Sequence, residues 1–312
     1  MSPPKIRFGI TLPQHNASWE EARSTAILCE EIGFDSLWAV DHLFSSPDPT
    51  DTLLEGWTEI TAIAALTNRI HIGHLVLCMN YRHPALLAKM AATLDQISAG
   101  RFILGLGCGW HAEEAQAYGI PFPPVRTRLQ QLDEGISLIR TMWQESPAEY
   151  YGEQFQIENA YCQPAPLQKP HPPILVGGGG EKVLLRIVAA QAQIWNNLGI
   201  DQPQLERKTQ ILREHCDGVG RDFAEIEISQ QTTAAIGATE ADARKAKEKI
   251  LTDLPFLGGG EDWVIAGTPE QCIERVQKTI DAGATTLLLN FGRNPAHETL
   301  RMFAETVMPT FR

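Results

Sequence analysis

The chain has 312 residues, of which 43% are hydrophobic and 21% charged, so it can build a sizeable core and is too apolar to remain disordered. Its 38 acidic and 26 basic residues leave a formal charge of −12, which argues against phosphate-backbone or anionic-membrane binding. No apolar run approaches the roughly 20 residues that span a bilayer and no export signal opens the chain, so a cytoplasmic protein is expected. The cysteines, Cys29, Cys78, Cys108, Cys162, Cys216 and Cys272, lack the paired spacing of a zinc site and read as core or pocket thiols.

Residues 5–12 alternate as a first strand, and Ser18 caps a helix that Gly33 terminates. Residues 36–40 return as a buried strand ending in Asp41-His42, which completes one β-α-β unit. After an irregular stretch, a helix with Ile60, Ile63 and Leu66 leads to a strand over 70–76. Pro84 then opens a helix to Ile97, where a missing N–H costs little. The fourth strand, 101–106, runs into Gly107-Cys108-Gly109-Trp110-His111. A helix over 126–143 precedes residues 149–173, rich in Tyr, Gln and Pro, which read as a hairpin or lid outside the repeat.

The fifth strand, 174–176, opens into Gly177-Gly178-Gly179-Gly180. Residues 193–196 supply the sixth strand, 225–228 with 232–236 the seventh, and 283–290 the eighth. A charged helix and the loop Gly258-Gly259-Gly260 separate the last two, and Thr268-Pro269-Glu270 begins the final helix. Eight strands alternating with helical patterns favour a single (β/α)8 TIM barrel over an open sheet, and no linker divides residues 1–312.

Functional groups of such a barrel belong in the loops after strands. Asp41 and His42 end the second strand, where a carboxylate and an imidazole suit proton exchange, or where Asp41 simply caps a turn. His71, His74, His83 and His111 fall on different strands and loops without a convergent carboxylate, so no metal is expected. The run from Gly178 to Glu181 offers N–H groups to an anion, or serves only a sharp turn. Trp110 is either an aromatic wall or packing beneath the excursion. Cys108 lacks an evident base and is not read as a nucleophile.

Taken together, Asp41-His42, Tyr81-Arg82-His83-Pro84, residues 93–101, Gly105 to Trp110, residues 173–178 and Gly267-Thr268-Pro269-Glu270 resemble the luciferase-like flavin and deazaflavin oxidoreductases, closest to the branch that uses coenzyme F420. The resemblance covers nearly the whole chain. It implies that Asp41 and His42 approach the reacting side of the cofactor ring as catalytic residues. His74 and Leu75 would support the ring through their backbone, and Cys108 and Gly109 would line it. Gly178, Gly179, Gly180 and Glu181 would hold the cofactor phosphate, with Trp110, His111 and Trp195 in the substrate pocket. A non-prolyl cis peptide is expected between His74 and Leu75.

F420 is the cofactor the resemblance favours, with hydride transfer to or from a small organic substrate. FMN is the alternative, weakened because Cys108 stands where FMN-dependent luciferases place an arginine. That alternative brings oxygen chemistry and a cofactor-reducing partner enzyme, and a noncatalytic flavin-binding protein is a third outcome. A homodimer is open. Trp110 replaces the glutamate that sugar-phosphate dehydrogenases of the family place beside the cofactor, and Gln193 replaces a common aspartate; both departures leave the substrate unassigned.

Overall fold

The computed structural model describes residues 5–46, 48–199, 201–253 and 264–312, so the loop Gly258-Gly259-Gly260 lies outside the described residues. In chain order the strands are β1 (Arg7–Thr11), β2 (Ser36–Ala39), β3 (His71–His74), β4 (Leu77–Cys78), β5 (Phe102–Gly107), β6 (Ala148–Tyr151), β7 (Gln156–Ala160), β8 (Ile174–Gly177), β9 (Ile194–Leu198), β10 (Glu227–Ile236), β11 (Val264–Gly267) and β12 (Thr286–Asn290). The helices are α1 (Trp19–Ile32), α2 (Gly56–Leu66), α3 (Pro84–Ile97), α4 (Ala112–Ala117), α5 (Val125–Gln144), α6 (Leu184–Gln191), α7 (Gln202–Val219), α8 (Glu240–Asp253), α9 (Pro269–Asp281) and α10 (His297–Thr306).

Eight parallel strands pair in the order β1, β2, β3, β5, β8, β9, β10 and β12, and β12 returns to β1 to close the barrel. Closure removes every sheet edge from this ring. The expected TIM barrel is therefore present, with two differences in the seventh strand and its neighbour. The seventh strand is one ten-residue element, β10, rather than two pieces. The extra strand β11 pairs with its far half. Residues 148–160 form the antiparallel hairpin β6–β7 within the anticipated excursion.

Local chemistry explains the frame. Ser18 and Glu21 form a reciprocal capping box on α1, which Gly33 closes in a left-handed turn. Outward residues of the strands, such as Phe8, Leu37, Phe102 and Trp195, join the apolar faces of the helices in one large core. Inward residues Trp38, Leu75, Ile103, Leu175, Ile194 and Leu288 fill the barrel itself. Trp38 needs the room left by Gly9 and Gly73, since a methyl group at either would collide with its indole. Its Nε1 donates to Ser36 Oγ at 2.8 Å, so the buried polar edge is satisfied.

Candidate functional site

At the C-terminal mouth of the barrel, Asp41 and His42 follow β2 but do different work. Asp41 is buried, accepts from Arg82 Nη1 and Nη2 at 2.9 and 2.8 Å, and accepts from the Cys78 N–H at 2.9 Å. A carboxylate held this way ties β2 to the segment after β4, and it does not orient His42. The carboxylate that meets His42 is Glu114 on α4, whose Oε2 lies 3.0 Å from His42 Nδ1. The same oxygen accepts from the Tyr81 hydroxyl at 2.7 Å, while Oε1 accepts from the Leu43 and Phe44 N–H groups.

Glu114 is fully buried. Burial alone would push its carboxyl up, but the hydrogen bonds from His42, Tyr81 and the Leu43 N–H outweigh that and hold it down at about 2. It is therefore an anion at neutral pH and can only accept. His42 Nδ1 must then carry the proton, which leaves Nε2 as the basic nitrogen. The sequence contains a trace of this arrangement, because His111 and Glu114 sit three apart at the start of α4. His111 Nδ1 lies 3.4 Å from Glu114 Oε2.

His42, His111 and Glu114 bring ligand-type atoms within 4.8 Å of one another. Glu114 Oε2 is already engaged by Tyr81 and His42, so the cluster is organised as a hydrogen-bond hub. Trp110 is 64% exposed, stacks on His111 with centroids 4.7 Å apart, and presents its edge to His42 at 5.5 Å. An aromatic surface beside a basic imidazole suits a small, partly apolar molecule.

The floor of the mouth comes from β3, β5 and β8. The non-prolyl cis peptide joins Leu75 and Val76, one residue later than the position expected from sequence. Methyl groups at Gly107 or Gly177 would strike Val76, so these two glycines leave the room that the Val76 side chain fills. Leu75 belongs to the barrel interior, whereas the His74 imidazole points outward, stacks on Trp57 at 5.0 Å and is held neutral by burial, at about 3. His74 can serve a ring only through its backbone. Cys108 is half-buried, burial raises its thiol, and its carbonyl accepts from Arg128 Nε at 3.1 Å. Gly109 turns beside Cys78 and Phe122.

The glycine loop after β8 divides in two. Gly178 donates its N–H to Asn196 O and its carbonyl accepts from Trp195 Nε1, so it is fastened to the sheet and its amide is not open to an anion. The helix does not begin until Leu184, after a turn over 181–183. Glu181 turns its carboxylate to Arg207 Nη2 at 2.7 Å, and His215 Nε2 lies 2.8 Å from its carbonyl oxygen. The acidic side chain of Glu181 is thus turned aside to α7, away from the backbone of residues 179–180.

Trp195 corrects the expected substrate pocket: it is fully buried in the core between strands and helices. Gln193 exchanges hydrogen bonds with Ile174 at the opposite end of β8 and β9, so its departure from relatives lies away from the mouth. A separate cavity of about 510 Å³ lies outside the barrel among α7, β10, β11 and α9.

The profile of the luciferase-like monooxygenase family matches residues 6–259, and the chain belongs to that family. It is similar to an F420-dependent glucose-6-phosphate dehydrogenase of Amycolatopsis mediterranei, at 25% identity over 316 residues, covering 92% of this chain and 93% of the relative. The structure resembles the coenzyme F420 dependent tetrahydromethanopterin reductase from Methanopyrus kandleri, with a TM-score of 0.84, 21% identity and coverage of 99% and 100%. It also resembles an F420-dependent secondary alcohol dehydrogenase solved with an F420-acetone adduct, with a TM-score of 0.85, 19% identity and 99% of each chain covered. Among the described residues, no helix is long and apolar enough to cross a membrane.

Proposed function

We propose that this protein is an F420-dependent oxidoreductase acting on a small organic substrate at the barrel mouth. The observation that carries the reading is the pairing of His42 Nδ1 with the buried Glu114 carboxylate at 3.0 Å, which leaves Nε2 to exchange a proton. The backbone of residues 74–76 and 107–109 would hold the tricyclic ring, and residues 179–181 its phosphate. When bound, the deazaflavin supplies a two-electron hydride carrier.

The chain supplies the proton side of the reaction. His42 Nε2 takes a proton from a substrate hydroxyl in the oxidative direction and returns it in the reductive one. Glu114, as the positioning carboxylate, stabilises the imidazolium that forms. Trp110 and His111 offer the substrate a face beside that nitrogen and shield it from water. The F420-dependent relatives and the absence of an arginine at Cys108 favour the deazaflavin over FMN.

Anaerobic titration of the apoprotein with F420 and with FMN tests the reading. Micromolar binding of F420, with substrate-dependent bleaching of its absorbance, is expected. Binding of FMN with none of F420 would overturn it.

A further inference from the structure

We propose that Lys208 on α7 is the cation that makes this protein prefer the phosphorylated cofactor over its phosphate-free core. The inference deepens the F420 reading and rests on it. Three features of the loop after β8 lead to it.

The first is a close approach. The missing side chain of Gly179 faces α7, and a methyl group there would collide with Lys208 Nζ. The ammonium is therefore laid against the backbone of the loop after β8. Gly178 is already committed to Asn196 O, so residues 179–181 alone offer few donors to a charged group.

The second is charge. Arg207 and Glu181 neutralise each other at 2.7 Å, and among the described residues no carboxylate lies within ion-pair distance of Lys208. One positive charge remains at the loop. In a chain of formal charge −12 an anionic ligand is repelled at long range, so a local cation decides its affinity. Burial draws the Lys208 ammonium down from its usual range, with Glu181 raising it and Arg207 lowering it by smaller amounts.

The third is an orphaned acceptor. Asn197 is 1% exposed, its Nδ2 donates to Gln230 Oε1 at 2.9 Å, and its Oδ1 has no hydrogen-bond partner. That oxygen lies 3.6 Å from the point where a Gly179 methyl would sit. A buried acceptor left open costs stability unless a ligand or water supplies a donor. A ribityl hydroxyl next to the phosphate is such a donor, so Lys208 and Asn197 together read as a seat for a phosphorylated polyol.

Equilibrium titration of the full chain, followed by deazaflavin fluorescence, tests the proposal with F420 and the ribityl deazaflavin that lacks phosphate. Wild type should bind F420 more tightly than the phosphate-free compound. Lys208→Met should weaken F420 by about 10- to 100-fold, as expected for a lost charge-assisted contact, and leave the phosphate-free affinity unchanged. Lys208→Arg should restore much of the difference. Equal weakening of both ligands, or of neither, overturns the role of Lys208. If wild type binds no F420 but prefers FMN to riboflavin through Lys208, the deazaflavin reading fails while the phosphate role stands. If neither phosphorylated ligand is preferred, the role of Lys208 falls.

Discussion

His42 and Glu114, 72 positions apart in the chain, meet at 3.0 Å with the carboxylate buried and the imidazole partly open to solvent. Because an ionised carboxylate cannot donate, this pair leaves His42 one usable tautomer. Removing the imidazole, as in His42→Ala, should lower the single-turnover rate by about 10²- to 10⁴-fold while leaving the cofactor dissociation constant within about twofold. Glu114→Gln should lower the rate by about tenfold, since an amide no longer enforces the tautomer. Unchanged turnover of His42→Ala at saturating substrate would remove the imidazole from the chemistry.

Asp41 belongs to the scaffold, and its variants should say so. Arg82→Met strands a buried carboxylate and should cost about 3–5 kcal/mol of unfolding free energy, measured by urea denaturation. Adding Asp41→Asn to that variant should recover part of the loss, because no isolated charge is left. A double variant less stable than the sum of the two single changes would contradict this account.

The close packing of Val76 against Gly107 and Gly177 predicts a selective defect. Gly177→Ala pushes a methyl group against a β-branched side chain that cannot easily turn aside. Cofactor affinity should drop by about tenfold or more, with the circular dichroism spectrum retained. Wild-type affinity in this variant would mean that the ring rests elsewhere.

Glu59 on α2 gives a pH dependence of stability. It is buried, neither carboxylate oxygen has a hydrogen-bond partner among the described residues, and burial, reinforced by Glu55, pushes its carboxyl up to about 8. The unfolded chain ionises this group near 4.5, so the folded state is favoured by the neutral form below that pH. The contribution is lost as pH rises through 8. Glu59→Leu should therefore gain thermal stability over wild type progressively between pH 5 and pH 8.5. A gap that stays constant across that range would show that Glu59 ionises normally.

The barrel was legible in the sequence because local signals agree with it: the capping residues of α1, the proline opening α3 and the apolar runs of buried parallel strands. Asp41 and His42 were legible as a pair at a strand end, but their partners were not. Arg82 approaches from the segment after β4 and Glu114 from α4, both far away in the chain, and the three-residue spacing of His111 and Glu114 is a trace too slight to name His42 as the partner. Trp195 was misplaced because an aromatic residue at a strand end gives no sign of which way it faces. Period-two alternation assigns it outward once Ile194 is known to face inward. Lys208 was invisible for the same reason as Glu114, since it matters only through a glycine that precedes it by a whole helix and strand.

The indole of Trp38 stoppers the barrel. Below it, the ionic pair of Arg7 with Glu227 and the hydroxyl of Thr286 enclose a space of only about 20 Å³, close to the room one water molecule needs. Among the described residues the barrel is therefore plugged from beneath, and a ligand of the proposed site would have to approach from the opposite end, where Trp110 lies exposed beside His42. In that arrangement, substrate, product and solvent would share the same side of the molecule.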